Sequence, residues 1–352
     1  MPDDSSCPSS EHLFRLPATN HEMRAPLKNQ KQDRKPCCLV TGAAGFVGSH
    51  LAERLVAEGH HVVGVDNFFS GKPDNLIQLL DQPDFTFHER CITEPGLLKE
   101  LKAQHPDLEW CFHLAAIVSV PYSVDHPEDT MRVNHQATRD LLHESEKLGF
   151  RAFAFAGSSA EYGEEKRLPL KETYATENTQ HLSAYGRSKY LASREVAMSP
   201  CGIALRFFNI FGPRQDPGSP YSGVISKFVS LALAWKPLTI YGDGLQTRDF
   251  IYVSDVVEAY LSAARLCMHP AGTETRLYNV GTGKSISILA LAGSINELIE
   301  SHEQPVFCPE RPGDIRFSVG SVDAFCKATG WSPRVSLLEG LRNTIEWSTS
   351  KR

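Results

Sequence analysis

At 352 residues the chain is long enough to bury a large core, in one big domain plus a smaller lobe. Its formal charge of −6 and pI near 6.2 exclude the broadly basic surface of a non-specific nucleic-acid binder. No apolar run approaches the roughly 20 residues of a membrane helix, so neither nucleic acid nor membrane is an expected partner.

The 9 cysteines show no metal-ligand spacing: Cys37 and Cys38 adjoin and the others are scattered. In a chain of this size an odd count reads as reduced thiols acting as small hydrophobes in a cytoplasmic protein, with no metal. Residues 1–35 are polar, Pro/Ser-rich and aperiodic, without the apolar centre of a secretory signal. They read as a disordered tail, an expression remnant or an upstream start, with Met23 an alternative start.

From Cys37 the pattern becomes regular. CCLVTG is a short apolar run ending in glycine, as expected of a buried parallel strand. The stretch from Ala44 to Glu58 then places Val47, Leu51 and Leu55 on one helical stripe, with Gly59 as its stop. HHVVGVD, FTFHE, EWCFHLAA, RAFAFAGS and IALRFFN read as further strands, with helices over about 128–148 and over Ala184 to Ala197. This alternation predicts an α/β fold, a Rossmann-like doubly wound parallel sheet with helices on both faces. The expected domains are 36–209 for the sheet, with some later segments returning to it, and 210–352 mainly for a smaller mixed α/β lobe. That lobe would hold short strands (LTIYG, DFIYV, LYNVG) and helices near 253–267, 287–302 and 335–349.

Thr41 to Gly48 spaces Gly42, Gly45 and Gly48 three residues apart between a strand and a helix. A backbone that must turn tightly and approach a pyrophosphate at a helix N-terminus needs this arrangement. The triplet alone also suits an ordinary strand-to-helix turn. Asp66, ending the next strand 18 residues after Gly48, adds a carboxylate for the adenosine ribose, which favours NAD over NADP. Tyr185 and Lys189 stand four apart, on one face of a helix. A fixed cation close to a phenol favours the phenolate, turning a group with pKa near 10 into a usable base. Tyr-x-x-x-Lys alone is common on solvated helices; behind a dinucleotide-binding half it points to catalysis. Ser158 and Ser159 follow the fifth strand, where a hydroxyl can meet a substrate oxygen or merely cap a turn.

TGAAGFVG, DNFFSG, FHLAA, SSAEYG, YGRSK, LRFFNIFGPRQ, IYGDG, TRDFIYVSDV, YNVGTG and RPGD occur in this order. The chain from about Cys37 to Trp347 thereby resembles the extended short-chain dehydrogenase/reductases. It looks most like their bacterial UDP-glucose and UDP-N-acetylglucosamine 4-epimerases. The resemblance implies NAD-dependent 4-epimerisation of a UDP-sugar, a homodimer and a role in polysaccharide biosynthesis. It implies that Phe46, Val47, Asp66, Asn67, Ser70 and Gly71 hold the adenosine half of NAD, with Ile92 at the adenine. Leu114, Ala115 and Ala116 would line the dinucleotide, Lys189 would bind the nicotinamide ribose, and Phe208 would pack at the nicotinamide. Ser158, Tyr185 and Lys189 would be catalytic. Asn209 would contact the nucleotide-sugar, Tyr241 would lie near the uracil, and Arg248 and Arg311 would clamp the diphosphate as guanidinium forks. Ser318, four residues after Asp314, would border the sugar C2 substituent and leave room for an acetamido group.

Three departures stand out. Cys91 replaces an acidic residue expected beside Ile92. The segment Asn134-His135-Gln136-Ala137-Thr138 departs from the family pattern and leaves the role of Asn134 open. Ser159-Ala160 stand where dehydratases and decarboxylases carry acids, with Glu161 one residue further on, which argues against those reactions. A UDP-glucuronate 4-epimerase or decarboxylase is the second reading, and a silent NAD-sensing member of the same fold the third.

Overall fold

Every residue of the first strand, β1 (Cys37–Thr41), is buried, as a strand covered by helices on both faces must be. Its alternate side chains point to opposite sides. Cys38 and Val40 share one core with Leu51 and Leu55 of the helix Phe46–Ala57 and with Val256 and Tyr260 of the helix Val253–Met268. Cys37 and Leu39 share a second core with Leu97, Leu141 and Val196, one from each of the helices Leu97–Gln104, Ala137–Lys147 and Ala184–Met198. The computed structural model of the protein describes residues 35–218, 223–268, 276–311 and 313–351. The tail expected over 1–35 lies, but for Lys35, outside them.

The other runs read as strands become β2 (Val62–Asp66), β3 (Phe85–Glu89), β4 (Leu108–His113), β5 (Ala152–Ser158) and β6 (Gly202–Phe207). They pair in parallel in the order Leu277–Val280, β6, β5, β4, β1, β2, β3. This is the α/β, Rossmann-like doubly wound sheet. Its winding reverses between β1 and β4, and at such a switch point the carboxyl ends of the strands leave a ligand crevice.

Three segments behave otherwise than expected. The helix Val253–Met268, expected in the smaller lobe, packs instead on the main sheet, because its apolar side chains such as Val256 and Tyr260 enter that core. LYNVG, read among the strands of the smaller lobe, supplies Leu277–Val280, the seventh strand of the main sheet, beside β6. All four of its residues are buried, so it has no polar face to give to solvent and needs cover on both sides. The helix expected over 128–148 is interrupted by a π-helical turn, Arg132–Gln136, between Pro127–Met131 and Ala137–Lys147. Elsewhere Asn209–Phe211 pairs with Phe250–Tyr252, and Thr239–Tyr241 with Val306–Cys308. These pack over a further core that includes Phe228, Ile240, Leu291 and Leu341. No helix among the described residues is long and apolar enough to cross a membrane.

Candidate active site

Between β1 and the helix Phe46–Ala57 the backbone passes through Gly42 at φ +73°, a region that side chains with a Cβ rarely adopt. A Cβ on Gly42 would fall 2.9 Å from the backbone nitrogen of Ala115, and one on Gly48 only 2.0 Å from the Gly42 carbonyl oxygen. Glycine is thus demanded on both sides of the turn. Gly45 stands at the helix N-cap, where no side chain caps the first turn. Such a turn suits an anion held by backbone N–H groups and the helix dipole.

Asp66, at the end of β2, is braced against this turn. Its carboxylate accepts the Ala44 N–H at 3.0 Å on one oxygen and the Phe68 N–H at 2.8 Å on the other. Burial raises its pKa, and these backbone bonds work in the opposite direction. A carboxylate has about four acceptor positions, so a ribose hydroxyl still has a site. Gly71 approaches closely, for a Cβ there would lie 2.9 Å from both Asp66 oxygens.

A cleft of about 940 Å³ opens along the carboxyl ends of the strands. Every residue expected to hold the dinucleotide, from Gly42 through Asp66, Ile92 and Ala115 to Phe208, lines it, together with Ser158 and Asn209. The glycine cradle and the carboxylate at the end of β2 fit the pyrophosphate and ribose of NAD. Cys91 also lines the cleft; its N–H donates to Glu94 Oε1 at 2.7 Å and its sulfur lies 3.1 Å from Thr93 Oγ1.

At the middle of the cleft Ser158 ends β5, and the helix Ala184–Met198 delivers Tyr185 and Lys189 on adjacent turns. Ser183 caps that helix, accepting the Gly186 N–H at 3.2 Å. Desolvation raises the Tyr185 phenol pKa, and the Ser158 side chain works in the opposite direction. Lys189 Nζ donates to the Ala156 carbonyl at 2.8 Å and lies 4.7 Å from the Phe155 ring centre. Desolvation lowers its pKa from 10.5 to about 8, against the pull of Glu161. The ammonium therefore remains the main form at neutral pH.

The remaining four predicted substrate residues gather in a separate cluster and do not line this cleft. Arg248 pairs with Asp314, and its Nη1 donates to the Thr247 carbonyl at 2.8 Å. The Arg311 guanidinium lies 3.8 Å over the Tyr241 ring. Ser318 is buried, its N–H donating to the same Thr247 carbonyl at 3.2 Å. Asn209 joins this cluster to the cleft, for both its N–H and its side-chain amide donate to the Asp249 carbonyl at 3.0 Å.

Sequence reasoning left Asn134 open. In the structure it is buried in the π-helical turn and clasps Ile117 from both sides, accepting its N–H and donating to its carbonyl, each at 2.8 Å. His113 was missed. It is buried between Thr41 Oγ1, 2.7 Å from Nδ1, and Thr138 Oγ1, 2.9 Å from Nε2. Burial first, then the Lys189 charge, hold its pKa at about 3, so the ring is neutral. Thr41 Oγ1 in turn accepts the N–H groups of Leu114 and Ala115, both at 3.2 Å. Lys72 and Asp216, which pair at 2.6 Å and both line the cleft, were missed as well. Each partner is far away in the chain, so no local pattern marks these contacts.

Residues 38–281 match the family described as "NAD dependent epimerase/dehydratase family". The chain is 35% identical, over 89% of its length and 98% of the relative, to a UDP-glucose 4-epimerase of Mycolicibacterium smegmatis. It is 33% identical, over 95% of its length and 72% of the relative, to UDP-glucuronic acid decarboxylase 2 of Arabidopsis thaliana. Among solved structures it resembles a UDP-N-acetylglucosamine 4-epimerase of Methanobrevibacter ruminantium, in complex with UDP-N-acetylmuramic acid. That likeness has a TM-score of 0.81 and 35% identity and covers 91% of this chain and 100% of the other. The chain is an enzyme of the NAD-dependent epimerase/dehydratase family, and NAD is its cofactor.

Proposed function

We propose that this enzyme epimerises a UDP-sugar at C4. The observation that carries the reading is that Ser158, Tyr185 and Lys189 line one cleft with the dinucleotide residues, in a chain with no carboxylate at 159 or 160. Glu161, the nearest acid in sequence, is fully buried and paired with Arg206, so it is spent on structure rather than on substrate. Tyr185 takes the proton from O4 while Ser158 hydrogen-bonds the same oxygen. Lys189 stabilises the phenolate. NAD supplies the acceptor, and then the donor, of the C4 hydride. Arg248 and Arg311 hold the diphosphate while the 4-keto sugar turns to present its other face, after which Tyr185 returns the proton. Product analysis with UDP-glucose, UDP-N-acetylglucosamine and UDP-glucuronate in parallel tests this. The expected products are the C4 epimers of the first two; loss of carbon dioxide from UDP-glucuronate would favour the decarboxylase reading.

Ser318 bears on which sugars enter. Its small, buried side chain sits beside the Arg248 strand, and we read it as the space for a C2 acetamido group. Ser318→Tyr overfills that space, a change that costs about 1–3 kcal/mol. The expected result is a roughly 10- to 200-fold loss of kcat/KM for the N-acetyl sugar, with the plain hexose retained. Equal loss on both sugars, or on neither, would remove Ser318 from the pocket.

A further inference from the structure

Beneath the proton-transfer trio lies a buried ion pair that the chemistry above leaves unused. Glu161 is fully buried, and Arg206 of β6 is 1% exposed. Arg206 Nε donates to Glu161 Oε2 at 2.5 Å. The other oxygen, Oε1, accepts the backbone N–H of Ser158 at 2.9 Å and the hydroxyl of Ser193 at 2.7 Å. Ser193 lies one turn beyond Lys189, on the helix that carries Tyr185. One carboxylate therefore ties together the end of β5, the catalytic helix and β6. Gly157 leaves room for it, since a Cβ there would fall 2.8 Å from Oε1. Burying two charges carries a desolvation cost that an apolar pair of similar volume avoids, so stability alone is a weak account of the pair.

We propose that Glu161, backed by Arg206, is a positioning residue for the proton transfer, fixing Ser158 through its backbone N–H and setting by its charge how readily Tyr185 ionises. The proposal rests on the reading of Tyr185 as the base. The Glu161 charge opposes formation of the phenolate and favours the ammonium of Lys189, and Arg206 offsets it. The groups facing the pair are Tyr185 and Lys189 from the helix and Tyr162 from the same turn, whose hydroxyl is 3.4 Å from Arg206 Nη1. Glu172 faces it too, its carbonyl accepting from Nη1 at 2.8 Å, and His181 feels the Arg206 charge. Of these, Tyr185 and Lys189 line the cleft.

Three variants of the NAD-bound protein separate charge from reach. E161Q removes the carboxylate charge, R206M removes the counter-charge, and E161D keeps the charge while withdrawing it from the Ser158 N–H. Ultraviolet titration of Tyr185, with Y185F as the blank, is expected to move down by about one pH unit or more in E161Q and up in R206M. In E161D the midpoint is expected to stay, while kcat falls about 10- to 100-fold with KM nearly unchanged, as for a misplaced reacting group. Unmoved midpoints in E161Q and R206M, shifts of the same sign, or a wild-type kcat in E161D would overturn the proposal. E161D retains the ion pair and its kcat decides the matter if the other two do not fold. The titration needs no sugar turnover. A Y185F enzyme that kept its activity would therefore sink the base assignment without touching the midpoint shifts.

Discussion

Replacing Tyr185 by phenylalanine is expected to lower kcat about 10²- to 10⁴-fold, the usual contribution of a positioned acid–base group. Binding of the nucleotide-sugar should change little, because the ring stays and only the proton-transfer hydroxyl goes. Steady-state rates beside calorimetric binding of the UDP-sugar check both halves. Tyr162 cannot take over, for its hydroxyl donates to Asn279 Oδ1 at 2.6 Å and burial pushes its pKa up to about 12. A Y185F enzyme with near-normal kcat would place the base elsewhere.

Gly48→Ala is expected to empty the cofactor site. The added methyl would stand 2.0 Å from the Gly42 oxygen and 2.8 Å from its carbonyl carbon, both backbone atoms that cannot swing aside as a side chain would. The turn must open, and the cradle for the pyrophosphate is lost with it. Overpacking of this kind costs about 1–3 kcal/mol of stability. Because the proposed reaction regenerates NAD in every cycle, the wild-type protein is expected to release stoichiometric NAD when purified and denatured. The variant is expected to release little and to melt earlier. Wild-type NAD content in Gly48→Ala would show that the turn does not hold the cofactor.

The strands of the sheet were legible because a strand buried on both faces must be a continuous apolar run, as CCLVT and AFAFAG are. The glycine turn and the Tyr185–Lys189 spacing were legible because each is a local geometric demand. What escaped depends on partners distant in the chain. Nothing within LYNV says that it will lie against β6, about 70 residues earlier. Asn134 meets Ile117 only because a π turn redirects it, and Glu161 meets Arg206 across 45 positions. The four residues Tyr241, Arg248, Arg311 and Ser318 were picked one by one from motifs. That they form a cluster apart from the cofactor cleft, with Arg248 already engaged by Asp314, follows from three-dimensional packing alone.

The late arrival of the seventh strand has a consequence for how the enzyme is made. Until residues 277–280 leave the ribosome, β6 is an open edge, Gly202–Phe207, apolar but for Arg206, the kind of edge that invites pairing with another chain. The helix Val253–Met268, which covers Phe112 and Phe207 through Tyr260, also emerges only after the first six strands. The nascent sheet thus waits, partly uncovered on one face, for segments encoded in the last third of the chain. The cofactor cleft is accordingly a product of late synthesis. Substitutions that unseat Leu277–Val280 or Val253–Met268 are therefore expected to lower NAD content as well as stability.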